Sequence, residues 1–294
     1  MRVTLALALA CTCGGPAPLP PPDAWAGSAA CATCHPAVAE EWSASWHART
    51  VRPASSDELE QLAGVLACAD LEASTVLGGR HELRWLAEDD TVPYGSGRWL
   101  ALPCGWDRGD DAPTVHHPEE WRSRPWEKSC AACHVTGFRG PGERWAEPGV
   151  GCEACHGPGA EHARSGDPSK VVTFPTSDEV TVCASCHLQG ARSLRTGEHV
   201  PDRYLPGRDL FDDWSFDWAS LDADGPPLDV HQKSLVRDHQ AGTAGTLRCT
   251  SCHAMHSLGH ERHAAVPRGA LCDRCHEPDL KLKEYEQSCA VCEF

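Results

Sequence analysis

A five-residue pattern, Cys-x-x-Cys-His, occurs six times in this chain: Cys31/Cys34/His35, Cys130/Cys133/His134, Cys152/Cys155/His156, Cys183/Cys186/His187, Cys249/Cys252/His253 and Cys272/Cys275/His276. With 18 Cys and 17 His in 294 residues, random placement yields roughly 0.06 copies, the product of the three residue frequencies and the length. A lone Cys-x-x-Cys reads equally well as a zinc knuckle or a redox pair. Here six of the seven such pairs carry His at the very next position, which neither of those requires. Covalent haem attachment does require it: two thiols add across the vinyl groups of a porphyrin, and the adjoining imidazole takes an axial position on the iron. The pattern predicts six haems c, each held by one cysteine pair.

About 270 residues follow the leader, or about 45 per haem. So little chain cannot build a large aliphatic core around each macrocycle, so the porphyrins and the 11 Trp must supply much of the buried apolar area. The expected fold is mainly α with much irregular loop, given short helices and 26 Gly and 23 Pro. Formal net charge is −16, and propionates would add to it. Nucleic-acid binding is excluded on that balance, while basic surfaces on redox partner proteins suit it.

Residues 1–10, MRVTLALALA, place one basic residue before an apolar run from Val3 to Ala10. The run is too short to span a bilayer and reads as an export signal. Residues 11–23 form a Pro-rich tether that begins at Cys11. This resembles a bacterial lipoprotein leader with Cys11 lipidated, giving membrane attachment; a plain cleaved signal is the alternative. Either way the protein is exported, to the periplasm or as an outer-membrane lipoprotein, and residues 24–294 form the haem domain.

Axial partners must come from the other eleven histidines. After the first motif, Val38, Trp42 and Trp46 fall on one stripe of an expected helix, with His47 beside it as a distal candidate. His231 and His239 precede the fifth motif, and His256 follows His253 by three residues. That spacing keeps His253 and His256 from gripping one iron from opposite faces, so His256 serves another haem or none. His116 or His117 could reach a haem; His199, His260 and His263 read as spare. The tail repeats Cys289-x-x-Cys292 with Glu293 where His belongs, which suits a disulfide or a degenerate site.

Between Val51 and Ser129 no haem motif occurs. His81–Leu86 and Arg98–Leu102 alternate apolar residues around a Gly- and Pro-containing turn, and predict a small β-hairpin insertion at about 70–105. Cys68 and Cys104 lie in it and could form a disulfide in an oxidising compartment.

Several of these segments taken in order carry a resemblance. They are the first motif with a following Trp-x-x-x-Trp-His47, Gly-Gly-Arg-x-x-x-Arg-Trp-Leu86, Leu-Pro-Cys-Gly-Trp-Asp107, Cys-Ala-Ala-Cys-His-Val-Thr-Gly137 and Gly-Cys-Glu-Ala-Cys-His-Gly-Pro-Gly-Ala-Glu-His162. The chain resembles the multihaem cytochromes c related to the nitrifiers' tetrahaem cytochrome c, which accepts electrons from hydroxylamine oxidoreductase. The resemblance implies a multihaem cytochrome fold with closely stacked bis-histidine haems, export and electron transfer. It also implies that His162 and His47 are distal ligands donated across to other haems. Six attachment sites instead of four, and the hairpin, set this chain apart.

Eleven spare imidazoles against six irons permit six-coordination throughout, which favours one-electron transfer without substrate access. The competing reading is a multihaem oxidoreductase of nitrogen-oxide or hydroxylamine chemistry at one five-coordinate haem. No Cys-x-x-Cys-Lys site occurs, and only Tyr94, Tyr204 and Tyr285 are available for a tyrosine crosslink.

Overall fold

The computed structural model describes residues 18–65, 71–92, 97–140, 144–176, 178–188, 191–197, 203–218, 230–242 and 247–257, with isolated positions as far as 274. Helices in the first two-thirds are short. They are α1 (Ser28–Ala32), α2 (Pro36–Ser43), α3 (Ser56–Val65), α4 (Trp126–Ser129), α5 (Ala131–His134), α6 (Cys152–His156) and α7 (Ala160–Ser165). α8 (Glu179–His187) and α9 (Val230–Gln240) follow. Segments of this length do not hold a helical conformation alone, so each depends on what it packs against. The single helix expected through Trp46 is two: His35 leaves helical backbone at φ −121°, Pro36 opens α2, and α2 stops at Ser43.

The stretch without haem motifs is larger than a hairpin. It forms a five-stranded antiparallel sheet in sequential order, β1 (Val51–Pro53), β2 (Thr75–Gly78), β3 (Glu82–Glu88), β4 (Trp99–Asp107) and β5 (Ala112–Val115). The expected hairpin is its centre, β3 with β4, where Glu82 pairs with Asp107 and Leu86 with Ala101 across a bulge after Arg84. An isolated hairpin is marginal in water. The neighbours β2 and β5 pair both its edges, and α3 covers one face.

Alternation along β3 decides the two faces. Leu83, Trp85 and Ala87 point to one side, where they join Val76, Leu102, Cys104 and Leu62 of α3 in a sealed core. The Trp85 indole N–H donates to the Glu58 carbonyl of α3 at 3.2 Å. Leu86 points to the other side and packs with Val51, Trp126, Ala131, Val135 and Phe138, which brings the second haem motif against the sheet. Cys104 is disulfide-bonded and fully buried; Cys68, its expected partner, lies outside the described residues. A third apolar cluster joins α8 to α9 and to the two-stranded pairing of β8 (Ala191–Ser193) with β9 (Trp214–Phe216), through Val180, Ala184, Leu210, Trp214 and Val236. Two short strands, β6 (Val135–Thr136) and β7 (Glu147–Pro148), join the second motif to the third. No helix among the described residues is long and apolar enough to cross a membrane.

Candidate haem-binding site

The first and third motifs are tied together by carboxylates that the sequence reading did not single out. Glu153, between Cys152 and Cys155, accepts the backbone N–H groups of Ala26 at 2.9 Å, Gly27 at 2.8 Å and Gly159 at 2.6 Å. Glu147 accepts from Ser28 N–H at 3.0 Å and from its hydroxyl at 2.7 Å. The Ser28 hydroxyl in turn accepts the Cys152 N–H at 3.1 Å. The first N–H of α6 is thus accepted by a side chain of α1, and the first N–H of α1 by Glu147, just before α6. Gly151 makes this approach possible, since a Cβ there would collide with the Glu147 carboxylate. A signal for Glu153 existed: a charged residue between two cysteines destined for burial needs partners.

Fourth and fifth motifs are joined in the same manner. Glu179, the first residue of α8, accepts the Thr250 N–H at 2.7 Å and the Thr250 hydroxyl at 3.0 Å. The segment carrying His47 is pinned over the second and third motifs: Thr50 donates to the His134 carbonyl at 3.1 Å, and Val150 N–H to the His47 carbonyl at 3.0 Å. Gly149 lets it lie close. Its φ is +78°, and a Cβ would meet the Ala48 carbonyl oxygen at 2.8 Å.

Thiols of different motifs lie side by side as a result: Cys31 with Cys152, Cys133 with Cys186, and Cys183 with Cys249. Burial, followed by the neighbouring Cys152 and Glu153, pushes the Cys31 thiol up to about 12. Burial alone leads for Cys155, also about 12. Cys133 and Cys183 are raised by their hydrogen bonds to the neighbouring sulfur and then by burial, whereas Cys186 and Cys249, on the other side of those bonds, are lowered. A zinc site needs thiolates converging on one point. No group of three or more His, Cys, Asp or Glu among the described residues converges as such a cage would.

Exposure differs among the described attachment cysteines. Cys34 is exposed, whereas its pair-mate Cys31 is half-buried beside Cys152. The physical reason is local: α1 ends at Ala32, so the turn that follows carries Cys34 outward, where the Thr33 hydroxyl lies 3.7 Å from its sulfur. Cys252 is half-buried and sits just past the 3₁₀ turn of Cys249–Ser251. That turn directs Cys249 toward Cys183; the Cys252 backbone is fixed by its N–H to the Cys249 carbonyl at 3.1 Å and by the Ala265 N–H at 2.8 Å.

What converges is imidazole on imidazole. His35 faces His162 with ring centres 6.3 Å apart and planes 18° from parallel. His156 faces His256 at 6.1 Å and 15°, and His47 meets His187 at 6.0 Å and 77°. A metal held between two imidazole nitrogens at about 2 Å each sets the ring centres about 6 Å apart. Such a pair supplies only the two axial positions, leaving four for a porphyrin. The second nitrogen of two of these rings has the partner that a metal ligand wants. His156 Nδ1 lies 2.6 Å from the Val172 carbonyl and His162 Nδ1 lies 2.9 Å from that of Asp167. With the proton donated to a carbonyl, Nε2 is left with its lone pair. The residues present fit haem.

The distal candidates thus come from segments other than the one they face: His47 from beside the first motif, His162 from beside the third, His256 from beside the fifth. His256, expected to serve another motif or none, faces the third. His134 differs from these, for its ring meets Trp126 at 6.3 Å and its Nδ1 is buried without a partner among the described residues. Burial alone lowers its basicity. His239 lies on α9 against Phe211 at 5.7 Å and Asp209 at 3.9 Å. His116 pairs with Glu82 on the sheet, and His199 is exposed. The side chain of His231, the spare His260 and His263, the sixth motif (Cys272, Cys275, His276), Cys11, and the Cys289/Cys292 tail lie outside the described residues.

Comparison with known proteins finds multihaem cytochromes. The family model described as cytochrome c554 and c-prime matches residues 30–74 and 114–157; the unmatched stretch between them carries β2 to β4 and the start of β5. Multiheme cytochrome MtrA of Shewanella baltica is 24% identical over 191 residues, 56% of this chain and 51% of the relative. Cytochrome c-554 of Nitrosomonas europaea is 33% identical over 106 residues, 27% of this chain and 42% of the relative. The chain spans about half, or less, of the length of these curated relatives. Among solved structures, the outer cell wall cytochrome OcwA superposes with a TM-score of 0.66 at 21% identity, covering 86% of this chain and 67% of that one. The undecaheme cytochrome from the S-layer of Carboxydothermus ferrireducens gives 0.53 at 24% identity, covering 90% and 44%. The chain is a multihaem cytochrome c related to the cytochrome c-554 of the nitrifiers.

Proposed function

We propose that this protein carries electrons between redox partners through six covalently attached haems c. The attachment residues are Cys31 and Cys34, Cys130 and Cys133, Cys152 and Cys155, Cys183 and Cys186, Cys249 and Cys252, and Cys272 and Cys275. Haem c, when bound, supplies an iron that gains and loses a single electron. The protein's part is to fix the coordination. His35 with His162, His156 with His256, and His187 with His47 would supply the imidazole pairs that hold the iron at the first, third and fourth sites. His134, His253 and His276 are the proximal ligands of the second, fifth and sixth, and α9 offers His231 and His239 as further donors. His162 and His156, each held by a backbone carbonyl, would change little on oxidation or reduction, and a paired imidazole would leave no position for a substrate.

The observation that carries this reading is the three imidazole pairs at 6.0–6.3 Å. The test is a haem count by mass and by pyridine haemochrome, together with the electron paramagnetic resonance spectrum of the oxidised protein. Six haem additions and dominant low-spin signals are expected. A colourless, zinc-loaded chain overturns the reading, and a dominant high-spin ferric signal would return it to substrate chemistry at an open iron. We further place the protein outside the cytoplasm, at the periplasm or cell surface, with Cys11 as a lipid anchor. The cell-wall and S-layer settings named for the two solved cytochromes support that location.

A further inference from the structure

Two fully buried carboxylates stand between haem-attachment segments with no cation opposite them among the described residues. Glu153 and Glu179 are each 1% exposed. The described partners of Glu153 are all backbone N–H groups, and those of Glu179 are the N–H and hydroxyl of Thr250. Dipoles of this kind hold a carboxylate in place without cancelling its net charge. Both carboxylates act on sulfurs on either side of them: Glu153 pushes up the Cys31 thiol, and Glu179 those of Cys183 and Cys249.

At the second motif the sign is reversed. Arg84 and Arg124 both pull against the burial that raises the Cys130 thiol. Arg84 shares the inward face of β3 with Leu86; its Nη2 donates to the Leu102 carbonyl at 3.0 Å and its Nε is buried. The buried carboxylate on α4, Glu127, points to the Trp99 N–H at 3.3 Å. Glu82 tempers Arg84 from the same strand.

We propose that Glu153 and Glu179 tune the redox chain, holding the sites on either side of them toward ferric iron, while Arg84 holds the second site toward ferrous iron. The second site is then where an electron rests, and the pairs first–third and fourth–fifth are the steps it leaves. This rests on the haem reading above. A fixed unit charge at about 10 Å in a medium of effective dielectric about 20 shifts an equilibrium by about tenfold, which is about 59 mV for a one-electron couple.

The experiment is a spectroelectrochemical titration of the full holoprotein, with haem content checked by mass for every variant. Glu179→Gln is the cleanest substitution, because the amide oxygen keeps the Thr250 N–H bond and the Thr250 hydroxyl can turn to accept from the new NH2. At fixed potential the ferric-to-ferrous ratio of the low-potential components is expected to fall about tenfold, with Glu153→Gln acting in the same direction. Arg84→Met is expected to move the highest-potential component down. Glu161→Gln, at an exposed residue paired with Lys170, is expected to leave the curve in place. Fully loaded Glu179→Gln and Glu153→Gln proteins that titrate like the native one overturn the proposal, as does an upward or absent shift in Arg84→Met. A native protein without haem at Cys183/Cys186 or Cys249/Cys252 overturns the reading beneath it.

Discussion

In the proposed coordination, His162 and His256 are where single side chains decide the electronic character of a site. Each faces a motif histidine from a different segment, at 6.3 and 6.1 Å. Removing either imidazole opens one axial position and should convert one haem to high spin. His162→Ala and His256→Ala are therefore each expected to add one haem's share of high-spin ferric signal, with the other signals retained. A spectrum unchanged from the native protein would show that the imidazole was never bound. Thr136 is a residue of a different kind, fully buried, with its hydroxyl donating to the Gly149 carbonyl at 2.8 Å and accepting the Gly151 N–H at 2.7 Å. Thr136→Val leaves both groups unpaired and should cost about 1–3 kcal/mol in denaturant unfolding.

Among the elements, the sheet and α3 are joined by one carboxylate. Glu58 is paired with Arg52 at 2.6 Å and Arg108 at 3.3 Å, and it also accepts the Ser55 N–H at 2.9 Å. The Arg52 hydrogen bond leads, against the cost of burial, in holding its carboxyl at about 2, below the usual 4.5. The folded state therefore binds this proton less tightly than the unfolded chain does. Its contribution is complete above the ordinary carboxylate range and is lost as pH falls from about 4.5 toward about 2. Glu58→Gln is expected to lower stability by about 1–3 kcal/mol at neutral pH and to flatten the acid limb. Midpoints of denaturant unfolding at pH 7 and pH 3 for both proteins check this, and parallel pH profiles would contradict it.

At the scale of the molecule, the apolar clusters among the described residues are modest and separate: one between the sheet and α3, one between sheet and second motif, one around α8. Segments such as α1, α5 and α6 have four or five residues each, too few to persist without the group that their cysteines hold. Protein produced without haem attachment should lose most of its helical far-ultraviolet circular dichroism. A haem-free protein with native helix content would refute this. The sheet, with its own sealed core and the Cys104 disulfide, is the part expected to resist longest.

Covalent attachment chemistry was open to reading in one dimension because it is local: two thiols and an imidazole within five residues suffice for it, whatever surrounds them. That Cys34 is exposed while Cys31 is half-buried against Cys152 was not open to such reading, since both belong to the same five-residue pattern and only the partner segment tells them apart. The β3–β4 hairpin was visible because side-chain alternation has a period of two and needs no distant partner. Its growth to five strands was not, because β2 and β5 are four residues each and persist only through pairing. The pairing of His35 with His162 and His156 with His256 was settled in three dimensions alone, as were the seats of Glu153 and Glu179. Each joins residues separated by about 70 to 130 positions, and only burial, which strips these groups of water, forces them to find one another.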